Sequence, residues 1–212
     1  MHIPDGMVPG DICVAGLAGA AALTWFCVKK AQSTYKDTAR LVSRASVMAA
    51  VFFVVSWIHI PLPPVSVHPV LAGLMGILLG WISFPAILTG LFFQAVMFGH
   101  GGFTTIGINS LSMGGAALLA RGLFVLLQRK SGERKILVAG FVAGFAGVMM
   151  AVVFTCSFLI LTLPEYINTK TEISSILGMS AAHLPLALAE GVFTALVVRF
   201  ILRVRPDMLL VA

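Results

Sequence analysis

Charge is scarce in this sequence. Asp, Glu, Lys and Arg make up 10% of 212 residues against 59% hydrophobic, with a mean hydropathy of +1.02. Such a balance excludes a soluble globular domain. The net charge of +6 raises the question of a nucleic-acid partner. However, Lys and Arg fall in short clusters between apolar runs, with no basic face to track a phosphate backbone, so no nucleic acid is expected. Cysteine is sparse too. Cys13, Cys27 and Cys156 lie inside apolar segments without a CxxC pair, which points to packing instead of a disulfide or a zinc site. No GxxxxGK[ST] loop is present, so the sequence offers no P-loop to cradle a nucleotide phosphate. Neither HExxH nor a nucleophile–base pair at a readable spacing appears, which leaves a membrane metalloenzyme without support and no catalytic residue to name. Finally, no Lys or Arg precedes the first apolar run, where Asp5 and Asp11 stand, while Lys29 and Lys30 follow it. That order is the reverse of a secretory signal and predicts a retained helix with its N-terminus outside.

What the chain does have is apolar length. Runs at approximately 11–28, 41–58, 69–82, 84–98, 106–127, 136–161 and 175–202 predict an all-α integral membrane protein. Residues 69–97 read as one long helix or two short ones, and Pro85 supplies a chemical reason for a break. Splitting the segment puts Lys29, Lys30, Lys36, Arg40, Arg44, Arg129, Lys130, Arg134, Lys135, Arg199, Arg203 and Arg205 on one side, with Lys170 opposite. The positive-inside rule therefore selects seven transmembrane helices, N-terminus outside and C-terminus cytoplasmic. Residues 1–212 are expected to form a single transmembrane domain. The two short helices need shelter from neighbours, and Gly76 with Gly80 and Gly140 with Gly144 are spaced for close helix contact.

On that topology His2, His59, His68, His100 and His183 all fall at or near the outer face. A lone histidine there is an ordinary interfacial side chain, but five in so apolar a chain point to a metal-binding surface. Met1 and His2 offer a terminal amine, a backbone nitrogen and an imidazole in fused chelate rings. One further imidazole completes a planar four-nitrogen site, which suits Ni2+ or Cu2+ better than tetrahedral Zn2+. Pro4-Asp5-Gly6 predicts a turn that folds this head back onto the bundle. His68 is the candidate fourth ligand. It follows a proline-rich loop and precedes Pro69, which is expected at the first helical position. His100, in a glycine-rich loop, Asn109, His183 and Glu190 are candidates for an outer shell or a gate. Glu190 shares a helix face with His183 and has Arg121 as a conceivable partner.

The segments Met1-His2-Ile3-Pro4-Asp5-Gly6, Ser66-Val67-His68, Phe98-Gly99-His100-Gly101-Gly102, Gly107-Ile108-Asn109 and His183–Gly191 together resemble the CbiM/NikM family. Its members are the substrate-specific (S) components of energy-coupling-factor (ECF) transporters for cobalt and nickel. The resemblance runs end to end, and its most specific part is the MHIPDG start. It implies a bundle of seven helices in the bacterial cytoplasmic membrane, with Ni2+ or Co2+ as the transported ion held by Met1, His2 and His68 and with no cofactor. It further implies a transmembrane coupling (T) subunit, two cytoplasmic ATPase subunits and often a small accessory membrane subunit. The loop before His68 departs from the family in its prolines. A stand-alone carrier or channel for divalent ions is the main alternative, and a vitamin-binding relative leaves the histidines unexplained.

Overall fold

Long apolar runs can sit in hydrocarbon only if their backbone polar groups pair internally. In a computed structural model describing residues 2–35, 37–62, 65–128, 132–162 and 169–209, they do so as helices. These are α1 (Gly10–Thr34), α2 (Thr38–Val55), α3 (Ala72–Leu79), α4 (Ser83–Phe98), α5 (Ile106–Gln128), α6 (Glu133–Leu161) and α7 (Thr169–Val204). A short antiparallel hairpin, β1 (Ile60–Leu62) and β2 (Val65–Val67), interrupts the helices. Among the described residues six stretches are long and apolar enough to cross a membrane, with Ala72–Phe98 counting as one. Large apolar side chains such as Trp25 and Phe26 on α1, Val47 and Val54 on α2 and Phe200 on α7 are exposed, a surface suited to lipid.

The continuous stretch Ala72–Phe98 folds back on itself. A straight helix of its 27 residues would hold its ends about 40 Å apart, yet the rings of His68 and His100, which flank it, have centroids 5.4 Å apart. The break expected at Pro85 occurs earlier, at Gly80, where φ is 59° and ψ −127°. An L side chain rarely adopts that conformation, and a Cβ there would also strike the Tyr35 hydroxyl. A 3-10 turn over Gly80–Ile82 follows. Pro85 sits in the first turn of α4, where a missing N–H breaks no helical bond. Pro69 is likewise not the first helical residue, because α3 begins at Ala72.

All eight residues of α3 are buried. At about 1.5 Å per residue it is only about 12 Å long, so it depends on walls supplied by neighbours. Small residues permit that enclosure: Gly73 closes on Ala143 and Gly144 of α6, and Gly76 on Ala117 of α5. On its other side Gly144 meets Glu190 and Thr194 of α7, so α6 is held at close range between α3 and α7.

Basic residues gather at the end away from the histidines. Glu133 at the start of α6 meets Arg199 (3.8 Å) and Arg203 (4.0 Å) near the end of α7, and Arg44 donates to Met208 O at 2.9 Å. Lys36, Arg129 and Lys130 lie outside the described residues, as does the side chain of Lys170. Arg121 does not pair with Glu190. Its guanidinium lies 5.0 Å over the Trp81 ring and reaches Tyr35 Oη at 3.4 Å, at the depth of the Gly80 turn.

Candidate metal centre

Three loops converge at the other end of the bundle, and each is held there by specific contacts. The first is the segment leading into α1. Ile3 is buried with Val8, Cys13 and Ile108. Its N–H donates to Asn109 Oδ1 (2.9 Å), and its carbonyl accepts from Asn109 Nδ2 (3.0 Å) and Thr105 Oγ1 (2.6 Å). Farther along, Asp5 accepts from the N–H groups of Phe103 (3.0 Å) and Thr104 (2.8 Å) and from the Thr104 hydroxyl. These contacts anchor the chain before and within the Asp5–Gly6 turn, and they leave His2 directed over the bundle mouth.

The second loop is the hairpin. Its register pairs Ile60 with Val67, so His68 emerges from β2 directly opposite His59. Beyond His68 the backbone is held from α7: Glu190 accepts from the N–H of Val70 and from that of Leu71 at 2.8 Å. Leu71 is the non-glycine residue with positive φ among those described, at 51°, a conformation that costs roughly 1 kcal/mol or more and persists only where neighbours impose it. The third loop follows α4. Gly99 takes the left-handed conformation at the helix end, and the His100 N–H closes on Gln94 O at 3.2 Å, which fixes the backbone that carries the imidazole. Gly102 is pressed against Asp5, so the glycine-rich stretch makes room for the N-terminal segment.

The result is a nest of imidazoles. Ligand nitrogens of His2, His68 and His100 all lie within 4.8 Å of one another. Ring centroids are 4.8 Å apart for His2 and His68, which are stacked, 4.5 Å for His2 and His100, and 5.4 Å for His68 and His100. With a metal–nitrogen bond of about 2.0–2.1 Å, two imidazoles on one ion hold their centroids roughly 4.5–6 Å apart. All three pairs fit. The His68 Nδ1 lies 3.1 Å from Pro69 O, an acceptor, so Nδ1 carries the hydrogen and Nε2 keeps its lone pair. Both ring nitrogens of His2, and Nε2 of His100, are out of reach of solvent without a hydrogen-bond partner among the described residues.

Burial is the leading cause that keeps these rings neutral, with neighbouring imidazoles adding to it. It holds His2 well below 6.5, lowers His100, and pushes His68 down to about 2. Neutral imidazoles are the form that binds a cation. For a depressed histidine the unfolded chain binds the extra proton between the two pKa values, so stability falls as pH drops below 6.5. Thermal melts of the metal-free protein from pH 7.5 to 5.5 should show that loss, with His68 contributing roughly 1.4 kcal/mol per pH unit below 6.5. His68→Gln should flatten the slope, and identical profiles for the two proteins would contradict the neutral, buried ring.

Of the candidates read from the sequence, His2, His68 and His100 come together here, while Met1 lies outside the described residues. Asn109 touches the Ile3 backbone and Glu190 the Val70–Leu71 backbone, so both act on the imidazoles through the chain that carries them. His183 is buried in α7 with Nδ1 2.7 Å from Met179 O, and it is not part of the three-imidazole group. Sequence reading passed over Ile3, Thr105 and the carboxylate of Asp5 as anchors. It also left His59 outside the ligand set, although an alternating strand pattern on either side of the prolines would have placed it opposite His68.

A helical membrane bundle with clustered imidazoles at one mouth belongs to the class of metal-handling transport proteins. The chain belongs to the CbiM family: the family model described as "Cobalt uptake substrate-specific transmembrane region" matches residues 2–208. It is 30% identical over 213 residues to the "Cobalt transport protein CbiM" of Sorangium cellulosum, covering 99% of this chain and 94% of that protein. It is 28% identical over 210 residues to a "Putative metal transport protein" of Haemophilus influenzae, covering 99% and 97%. A crystal structure described as a truncated transition metal transporter superimposes with a TM-score of 0.80 at 24% identity over 96% of this chain and 99% of that one, which establishes a shared fold. The protein is therefore a multi-pass component of cobalt or related metal uptake in the bacterial inner membrane.

Proposed function

We propose that residues 1–212 form one substrate-binding domain that captures Ni2+ or Co2+ from the extracytoplasmic side for an ATP-driven, ECF-type importer. His2 carries the reading. Its two ring nitrogens are withdrawn from solvent and unpaired among the described residues, between the rings of His68 and His100. An unsatisfied buried polar group costs about 1–3 kcal/mol, and a cation that takes up a lone pair relieves that cost. The terminal amine of Met1, the His2 backbone nitrogen, the His2 imidazole and His68 form the ligand set, a nitrogen-only donor group favoured by Ni2+ and Co2+ over hard cations. His100 stands by as an adjacent imidazole.

In this reading α3 and α4 are two short passes, so seven helices cross the bilayer with the imidazole mouth outside. The basic ends of α2, α6 and α7 face the cytoplasm, as the positive-inside rule requires. A coupling subunit, two ATPase subunits and possibly a small accessory subunit supply the energy that the sequence, lacking a phosphate loop, does not. A stand-alone carrier or channel is disfavoured because Glu190 and Arg121, the ionisable groups it would need within the membrane, are both engaged in contacts within the bundle.

Calorimetric titration with Ni2+ of purified protein whose Met1 amine is free, compared with protein extended by a short N-terminal peptide, tests the site. The extension removes the terminal amine as a donor, and affinity should fall by about 100-fold or more. Equal affinities for the two forms would rule the ligand set out.

A further inference from the structure

One histidine of the mouth is unused by the inner site. His59 is exposed, directly before β1, and the hairpin register sets it across from His68, with ring centroids 6.1 Å apart. Its ring is 5.4 Å from that of His100 and perpendicular to it, at 89°. Both distances fall in or close to the range that two imidazoles on one ion require, roughly 4.5–6 Å. The His59 Nδ1 lies 2.8 Å from Trp57 O, an acceptor, so the hydrogen sits on Nδ1 and Nε2 keeps a lone pair for a ligand. The facing His100 has an Nε2 without solvent contact or a hydrogen-bond partner among the described residues. Trp57 packs beside both rings, at 6.1 Å and 6.3 Å, and forms part of the wall of the mouth.

We propose that His59 and His100 form an outer subsite that takes the incoming divalent cation first and passes it to His2 and His68, an inference that rests on the metal-capture reading above. Exposure decreases along that route, from the exposed ring of His59 through half-buried His100 to His68, which is 2% exposed. His100 lies within ligand distance of both ends, 5.4 Å from His59 and 4.5 Å from His2, so the ion can change partners without returning to water. Two imidazoles with water in the remaining positions bind a first-row cation weakly. Weak binding is what a relay needs, since an ion held firmly at the mouth would not move on.

A relay lowers the barrier in both directions. In stopped-flow mixing of Ni2+ with the full chain carrying a free N-terminus, His59→Ala should slow association about tenfold and slow release by the same factor, leaving their ratio within about twofold. His59→Asp, which restores an exposed metal-binding group, should recover most of the rate. Unchanged rates in His59→Ala would overturn the relay, as would an equally slow His59→Asp. Weaker affinity with faster release would overturn it too, by making His59 a ligand of the inner ion. If the unmodified protein bound no Ni2+ at all, the metal-capture reading itself would fall, and that result is distinguishable from the others because it appears before any variant is made.

Discussion

His68→Ala should weaken Ni2+ binding by about 100-fold or more. Replacing a group that merely orients a ligand costs about 10–100-fold, so removing a ligand has to exceed the lower part of that range. Truncation also leaves the stacked His2 ring facing a cavity where an imidazole stood at 4.8 Å. Residual binding should come from His100, whose ring is 4.5 Å from that of His2 and is the nearest substitute. The double variant His68→Ala/His100→Ala should therefore bind less than either single variant. Calorimetry at pH 7.5 reads the series directly, and a loss smaller than threefold in His68→Ala would remove that imidazole from the coordination sphere.

The second large effect belongs to a carboxylate that touches no imidazole. Glu190→Ala would leave the N–H groups of Val70 and Leu71 buried and without their acceptor, at about 1–3 kcal/mol each. The strained Leu71 would also lose the contact that holds it at φ 51°. Because these residues follow His68 directly, the loop that presents the imidazole should loosen. Ni2+ affinity should drop by about 10–100-fold alongside a lower melting temperature. Glu190→Gln retains one acceptor oxygen but turns an NH2 group toward the other N–H, so it should fall between wild type and alanine. If Glu190→Ala bound Ni2+ within twofold of wild type, α7 would have no part in placing His68.

The helices were legible because their cause is local. Each apolar run carries its own instruction, and the described residues form an all-α bundle with six stretches long and apolar enough to cross a membrane. Boundaries were less legible. α2 ends at Val55 because the following residues enter a hairpin, and the break in Ala72–Phe98 falls at Gly80, not at Pro85. Proline draws attention by what it lacks, but at the start of a helix that lack has no consequence. Gly80, in contrast, sits where Tyr35, just past the end of α1, and Arg121 of α5 leave no room for a side chain.

The candidate site divides along the same line. Composition and order alone determined that this chain belongs in a bilayer, that it carries no ATP-binding loop, and that its histidines and N-terminal turn are the unusual features of an otherwise apolar chain. Which imidazoles meet was decided only by the tertiary structure. His2, His59, His68 and His100 are scattered over the first hundred residues, and no local periodicity relates them. A hairpin register, a folded-back α3–α4 pair and backbone contacts from Asn109, Asp5 and Glu190 bring them to one mouth. Proximity of that kind arises from long-range packing, whereas membrane insertion follows from the free energy of transferring each run on its own.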